Sequence, residues 1–118
     1  MTAANVPPTA NAGPDQSVLP YTTVTLTSAA STDSDGTIVS RLWSQTAGTP
    51  TVTLSSTSAM SPTFTAPSVK GGTSLTFQVL ITDDDGATGT DTVTITVASG
   101  TYYYWDGSAW RPLQLQSF

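Results

Sequence analysis

Two acidic turns, Asp33-Ser34-Asp35-Gly36 and Asp83-Asp84-Asp85-Gly86, hold most of the carboxylates in this chain. Each borders a run of alternating apolar residues, and Trp43 follows the first. Gathered carboxylates can ligate a hard cation, work as an acid–base pair on a glycosidic bond, or cap tight turns through their own backbone. Two acidic loops at one end of a β-sandwich would supply the oxygen ligands that calcium needs. Neither loop alone has the twelve-residue spacing of an EF-hand. Close carboxylates without a cation would repel, which keeps calcium in view. Glycoside hydrolysis needs two carboxyls in unlike environments within a cleft. Aspartates exposed on the loops of a small sandwich would both stay ionised, so that chemistry is not expected.

The remaining inventory is sparse. Histidine and cysteine are absent, so there is no imidazole base, no thiolate and no disulfide framework. A serine or threonine nucleophile would find only Lys70 as a base. No enzyme is expected. Arg41, Lys70 and Arg111 are the only cations and stand far apart, and the net charge is −5. That balance argues against nucleic acid as a partner. All the acid is Asp, a turn former, and threonine is roughly a fifth of the chain, so a β protein with carboxylates in its loops is indicated.

With 118 residues the chain is one domain with room for an appendage, long enough to bury a core without disulfides or metal. The start, MTAANVPPTANAGPDQSV, has no basic segment followed by an apolar run. It does not read as a secretory signal, and no stretch is long enough to span a membrane.

Residues 1–14 read as an extended Pro/Ala/Asn lead-in. Period-two alternation then marks short strands: Ser17 to Leu19, Val24 with Leu26, Thr37 to Gln45, Val52 with Leu54, and Thr63 to Thr65 around Phe64. Leu75, Phe77, Val79 and Ile81 form the cleanest inward row, matched by Val93, Ile95 and Val97. The mixed parity of Ile38, Val39, Leu42 and Trp43 suggests a bulge or a strand buried on both faces. Asp35-Gly36, Gly71-Gly72 and Asp85-Gly86 fall where positive φ is expected. Pro62 and Pro67 bracket an edge strand. The outcome is an all-β sandwich of about seven strands over residues 15–98.

The strings ANAGPDQSV, VTLTSAASTDSDGTIVSRLWSQTAG, SPTFTAP and LTFQVLITDDDGATGTDTVTITV together resemble the PKD-type immunoglobulin-like domain, from about Pro8 to Val97. The resemblance implies that Trp43 is core, together with Phe77, Val79, Ile81, Val93 and Ile95. It implies an extracellular module for adhesion, spacing or carbohydrate-associated work, without catalysis. It also implies a calcium site from Asn5, Asp33, Asp35, Asp83 and Asp85. No cofactor is required, and calcium is the one the turns could take.

Residues 99–118 depart from that family. Tyr102, Tyr103, Tyr104, Trp105 and Trp110 surround Asp106-Gly107, and Leu113, Leu115 and Phe118 follow. Two aromatic runs about an Asp-Gly turn read as a β-hairpin or extended arm, too small to bury its own surface. It is expected to pack on the sandwich, on another copy or on a different protein, with docking on a larger assembly as the main expectation; flat rings that stack on a sugar are a further reading. The pattern Y-x-W-D-G-S-A-W resembles short repeats near the ends of bacteriophage virion proteins. The main expectation is thus a structural protein of the virion surface, a capsid decoration or minor head or tail component. Its partner would be a capsid or tail protein or another copy of itself, with weak host glycan contact. The alternative is an extracellular or cell-surface adhesion or carbohydrate-associated module of a longer secreted protein.

Overall fold

The computed structural model describes residues 4–99 and 102–113 and contains no helix among them. Six strands build the sandwich: β1 (Gln16–Val18), β2 (Thr23–Thr25), β3 (Ile38–Ala47), β4 (Thr63–Thr65), β5 (Thr73–Asp83) and β6 (Thr88–Val97). One sheet has the order β1-β6-β5-β3, with β1 parallel to β6 and the other pairs antiparallel. The second sheet is the antiparallel pair β2-β4. Among the described residues no helix is long and apolar enough to cross a membrane.

The alternation of β5 determines what lies between the sheets. Leu75, Phe77, Val79 and Ile81 are buried, and Val93, Ile95 and Val97 of β6 extend the same layer. Val24, Leu26, Phe64 and Ala66 close it from the second sheet, and Trp43 fills it from β3. Phe64 and Phe77 meet across the layer with ring centroids 5.0 Å apart. The outer face of β5 and β6 carries Thr76, Thr82, Thr92 and Thr94, whose hydroxyls suit a solvated pleat.

β3 resolves its mixed parity with register shifts at Ile38/Ser40 and Gln45/Ala47. Val39 and Leu42 stay exposed, so the strand is bulged and not buried on both faces. The expected strand at Val52 and Leu54 is absent. Both residues pack half-buried on the core from an irregular connection. Side chains take the place of a ladder there. Gln45 Oε1 accepts from Val52 N at 2.9 Å, and Gln45 Nε2 donates to the Gly48 and Pro50 carbonyls at 3.2 and 3.0 Å. The Trp43 indole donates to Ala59 O at 3.0 Å. β4 pairs only with β2, which agrees with an edge between two prolines.

Positive φ occurs at Gly71, Gly72 and Gly86 but not at Gly36, which corrects that expectation. A Cβ at Gly36 would instead meet the end of the Asp84 side chain, which would have to move aside.

The lead-in is fastened to the sandwich. Thr9 and Thr32 exchange backbone bonds at 2.7 and 3.0 Å, and Ala12 is buried, its N–H donating to Asp91 Oδ2 at 2.8 Å.

Beyond the sandwich, β7 (Tyr102–Trp105) and β8 (Trp110–Leu113) form the expected hairpin, with Tyr102 opposite Leu113 and Trp105 opposite Trp110. Asp106 Oδ1 closes its turn by accepting from Ser108 N and Ala109 N, both at 2.8 Å.

Phe77→Ala should remove about 3–5 kcal/mol of stability, because the ring is fully enclosed between the sheets. A urea melt followed by circular dichroism measures this, and an unchanged midpoint would contradict the packing described.

Candidate functional site: the acidic pole

Antiparallel pairing sets Ile38, at the start of β3, opposite Asp83, at the end of β5. The turn before β3 therefore lies against the turn after β5. Asp84 N donates to Thr37 O at 3.0 Å, and Thr37 N reaches back to Asp84 Oδ1 at 3.4 Å. Carboxylate oxygens of Asp33, Asp83 and Asp84 come within 4.8 Å of one another.

Asp83 occupies the next inward position after Ile81 and is 1% exposed. The expectation that the turn aspartates are all exposed fails here, because the period of β5 continues into the turn. Its Oδ1 accepts from Asp85 N at 2.9 Å and Ala87 N at 2.8 Å, while Oδ2 accepts from Asn5 Nδ2 at 2.8 Å. Asp35 Oδ2 accepts from Val6 N at 2.8 Å. Both acidic turns thus hold the lead-in. Asp33 differs: its Oδ1 accepts a long bond from Asp35 N at 3.4 Å, and its buried Oδ2 has no donor.

The electrostatics follow from these contacts. The Asn5 amide holds the Asp83 carboxyl below the usual range, against the opposing push of burial, with the Ala87, Asp85 and Gly86 amides assisting. Burial pushes Asp33 up, and the neighbouring Asp35 adds to it. The charge on Asp84 raises Asp85, with burial and Asp83 and Asp35 contributing.

Of the sequence-derived ligand set, Asn5, Asp33, Asp35 and Asp83 converge on this pole. Neither Asp35 nor Asp85 joins the close cluster, and Asp84 does. Within a run of three aspartates, composition cannot say which points where. Extending the β5 parity past Ile81 would have marked Asp83 as the inward one. Asp15 and Asp91 are also fasteners that motif reading missed, Asp15 Oδ1 accepting from Thr94 N at 2.9 Å.

Trp43, Phe77, Val79, Ile81, Val93 and Ile95 are buried core residues. Tyr102, Tyr103, Tyr104 and Trp105 lie on β7, with Trp110 and Leu113 on β8. Leu115 and Phe118 fall outside the described residues.

Chemically, the pole offers oxygen acceptors and no paired nucleophile and base. An acceptor that is buried without a donor, flanked by two further carboxylates, suits a hard cation. Both Asp83 oxygens already accept hydrogen bonds, yet each retains lone-pair capacity for a ligand bond.

The fold and this pole define an immunoglobulin-like β-sandwich module. The K319L-like, PKD domain family matches residues 12–97, and the chain belongs to that family. The PKD domain from KIAA 1837 protein is 26% identical, with a TM-score of 0.67 over 84% of this chain and 93% of that one. The PKD1 domain of Vibrio anguillarum Epp is 27% identical, with a TM-score of 0.55 over 81% of this chain and 99% of that one. A sialyltransferase from Photobacterium damsela matches at 26% identity and TM-score 0.55, over 73% of this chain but 18% of its own. No curated protein matches the chain in sequence.

The shifts predict a two-sided pH response. Asp33 and Asp85, raised in the folded state, cost stability when ionised, and that cost is relieved as pH falls through their raised values. Asp83, lowered in the folded state, contributes stability above the ordinary carboxylate range, and this is lost as pH falls through its depressed value. Urea midpoints in metal-free buffer should therefore rise on mild acidification and then fall. Asp33→Asn should flatten the rise; a monotonic decline in the parent chain would refute the assignment.

Proposed function

We propose that this chain is a non-enzymatic extracellular module, an adhesive or carbohydrate-associated PKD domain of a longer secreted protein, whose acidic pole takes calcium. The observation that carries the reading is the strapping of the lead-in to both acidic turns, through Asn5 to Asp83 and Val6 to Asp35, beside the donorless Asp33 Oδ2. Asp33, Asp83 and Asp84 would hold the ion, with Asp35 and Asn5 adjacent. A bound cation would offset the repulsion that raises Asp33 and Asp85. It would also stiffen the point where the chain enters the domain, which is what a spacer between modules needs. Support for a module comes from the Photobacterium damsela sialyltransferase, where the matching part is a small fraction of a carbohydrate-active chain.

Calcium titration of the full chain tests this. At about 100 times Kd the ion should add about 2.7 kcal/mol of stability, with magnesium doing less. Asp33→Asn and Asp84→Asn should abolish the gain without unfolding the metal-free protein. No calcium-dependent shift in Tm up to millimolar concentrations would sink the metal reading.

A second reading is favoured by one feature, the hairpin. Among the described residues β7 and β8 form a two-stranded sheet of their own, separate from both sheets of the sandwich. A two-stranded hairpin is marginal by itself, so this one calls for something to pack on. On this reading the chain decorates a virion, the hairpin docking on a capsid or tail protein or on a second copy, and the sandwich touching host glycans weakly. Light scattering on the full chain and on a version ending at Ser99 separates the cases. A defined oligomer that becomes a monomer on truncation favours assembly through the hairpin, and monomers in both remove self-assembly.

A further inference from the structure

The outer edge of β3 carries a group that neither the acidic pole nor the hairpin uses. β3 is the end strand of the four-stranded sheet, with β5 on one side only. Its other side is closed at Trp43, whose N–H donates to Thr57 O at 2.7 Å and whose indole donates to Ala59 O at 3.0 Å. The connection then leaves the strand. Ser28 N donates to Met60 O and Leu26 N to Pro62 O, both at 2.9 Å, so from Met60 onward the chain is bonded to the segment that follows β2. Backbone groups alternate in direction along a strand, so the Arg41 N–H and C=O point to the same side as the Trp43 N–H. Among the described residues no loop backbone meets them there.

The Arg41 side chain lacks a partner as well. Arg41 sits in the inward row of β3 with Trp43, opposite Ile81, and is half-buried. Its Nε is shielded from water without an acceptor, and among the described residues nothing bonds the guanidinium. A shielded donor on a charged group is costly to leave unmade. The chain has 8 carboxylate side chains against 3 cations, yet Asp33, Asp83 and Asp84 gather at the pole while Asp15 and Asp91 hold the lead-in. Apolar surface flanks the gap: Val39 is 60% exposed and Leu42 51%, and Met60 stands exposed where the connection departs.

An open backbone donor and acceptor, an unpaired cation beside them and apolar side chains on the same strand are the features that an extended peptide can match together. A strand added at this edge would accept from the Arg41 N–H and donate to its C=O. The residue opposite Arg41 would project on the guanidinium's face, with the two Cβ atoms about 5 Å apart. A carboxylate there reaches the guanidinium in a charge-assisted pair. The net charge of −5 and the acidic turns at the end of β3 repel a polyacidic partner, so a single carboxylate in an otherwise uncharged segment is the complement.

We propose that the uncovered edge of β3 at Arg41 receives an extended peptide of a partner protein as a further strand, with one Asp or Glu paired to the Arg41 guanidinium and an apolar neighbour beside Leu42. This site is independent of any cation at the acidic pole.

N–H resonances of the full chain, titrated with the end-blocked peptide Thr-Val-Asp-Val-Thr, provide the test. The Arg41 Nε–H and the backbone amides from Val39 to Leu42 should shift together. The same peptide with Asn in place of Asp should bind about tenfold more weakly, and Arg41→Gln should bring the two peptides to equal affinity. Shifts that map elsewhere, no binding at millimolar peptide, equal affinity of both peptides for the parent chain, or the same shifts with acetate alone would each overturn the proposal. The comparison of the two peptides is made on the parent chain, so it holds even where Arg41→Gln weakens the fold.

Discussion

The strict two-residue period of β5 is the constraint from which much of the rest follows. Eleven residues in one strand, with Leu75, Phe77, Val79 and Ile81 facing inward, oblige the ninth and eleventh positions to share a face. The eleventh is Asp83. A carboxylate placed in the core row must be paired or solvated, and here it is paired by Asn5 and by the amides of its own turn. The asparagine comes from the other end of the domain in sequence. The requirement of one buried charge thereby recruits the lead-in. Asp15, Asp35 and Asp91 repeat the device at other points along the same segment.

This arrangement separates the two ends of the domain by chemistry. At one, carboxylates, backbone amides and the entering chain converge. At the other, a cleft lined by Val18, Leu19 and Ala98 lies where β1 and β6 end. Between them the sheets share one apolar layer, and the long irregular connection after β3 is held by two side chains of that strand. Gln45 and Trp43 supply the hydrogen bonds that a further strand would have supplied, and this explains why no strand forms at Val52 and Leu54.

Much of the fold was legible because β alternation is a local property. The inward rows of β5 and β6 and the edge position of Phe64 could be placed from spacing and turn residues, whereas β3 was left between a bulge and two-sided burial and the tail between a hairpin and an extended arm. The acidic pole was legible only as a composition. Which aspartate is buried, which is left without a donor and which merely turns the chain depends on how two loops meet across the β3–β5 pair. The three-aspartate run illustrates this: Asp83 belongs to the core row, Asp84 crosses to Thr37, and Asp85 stands exposed in their field.

By itself, then, the sequence determined the class of architecture, the identity of the core and the presence of two chemically distinct terminal segments. Periodicity, turn chemistry and residue inventory act over a few neighbours and need no knowledge of the partner strand. Tertiary structure decided the rest: that Gly36 lies against the Asp84 carboxylate without a positive φ, that Asn5 meets Asp83 across 78 positions, and that Asp33 keeps an oxygen without a donor. Such facts arise from distances between residues remote in the chain, and only the closed sandwich sets those distances.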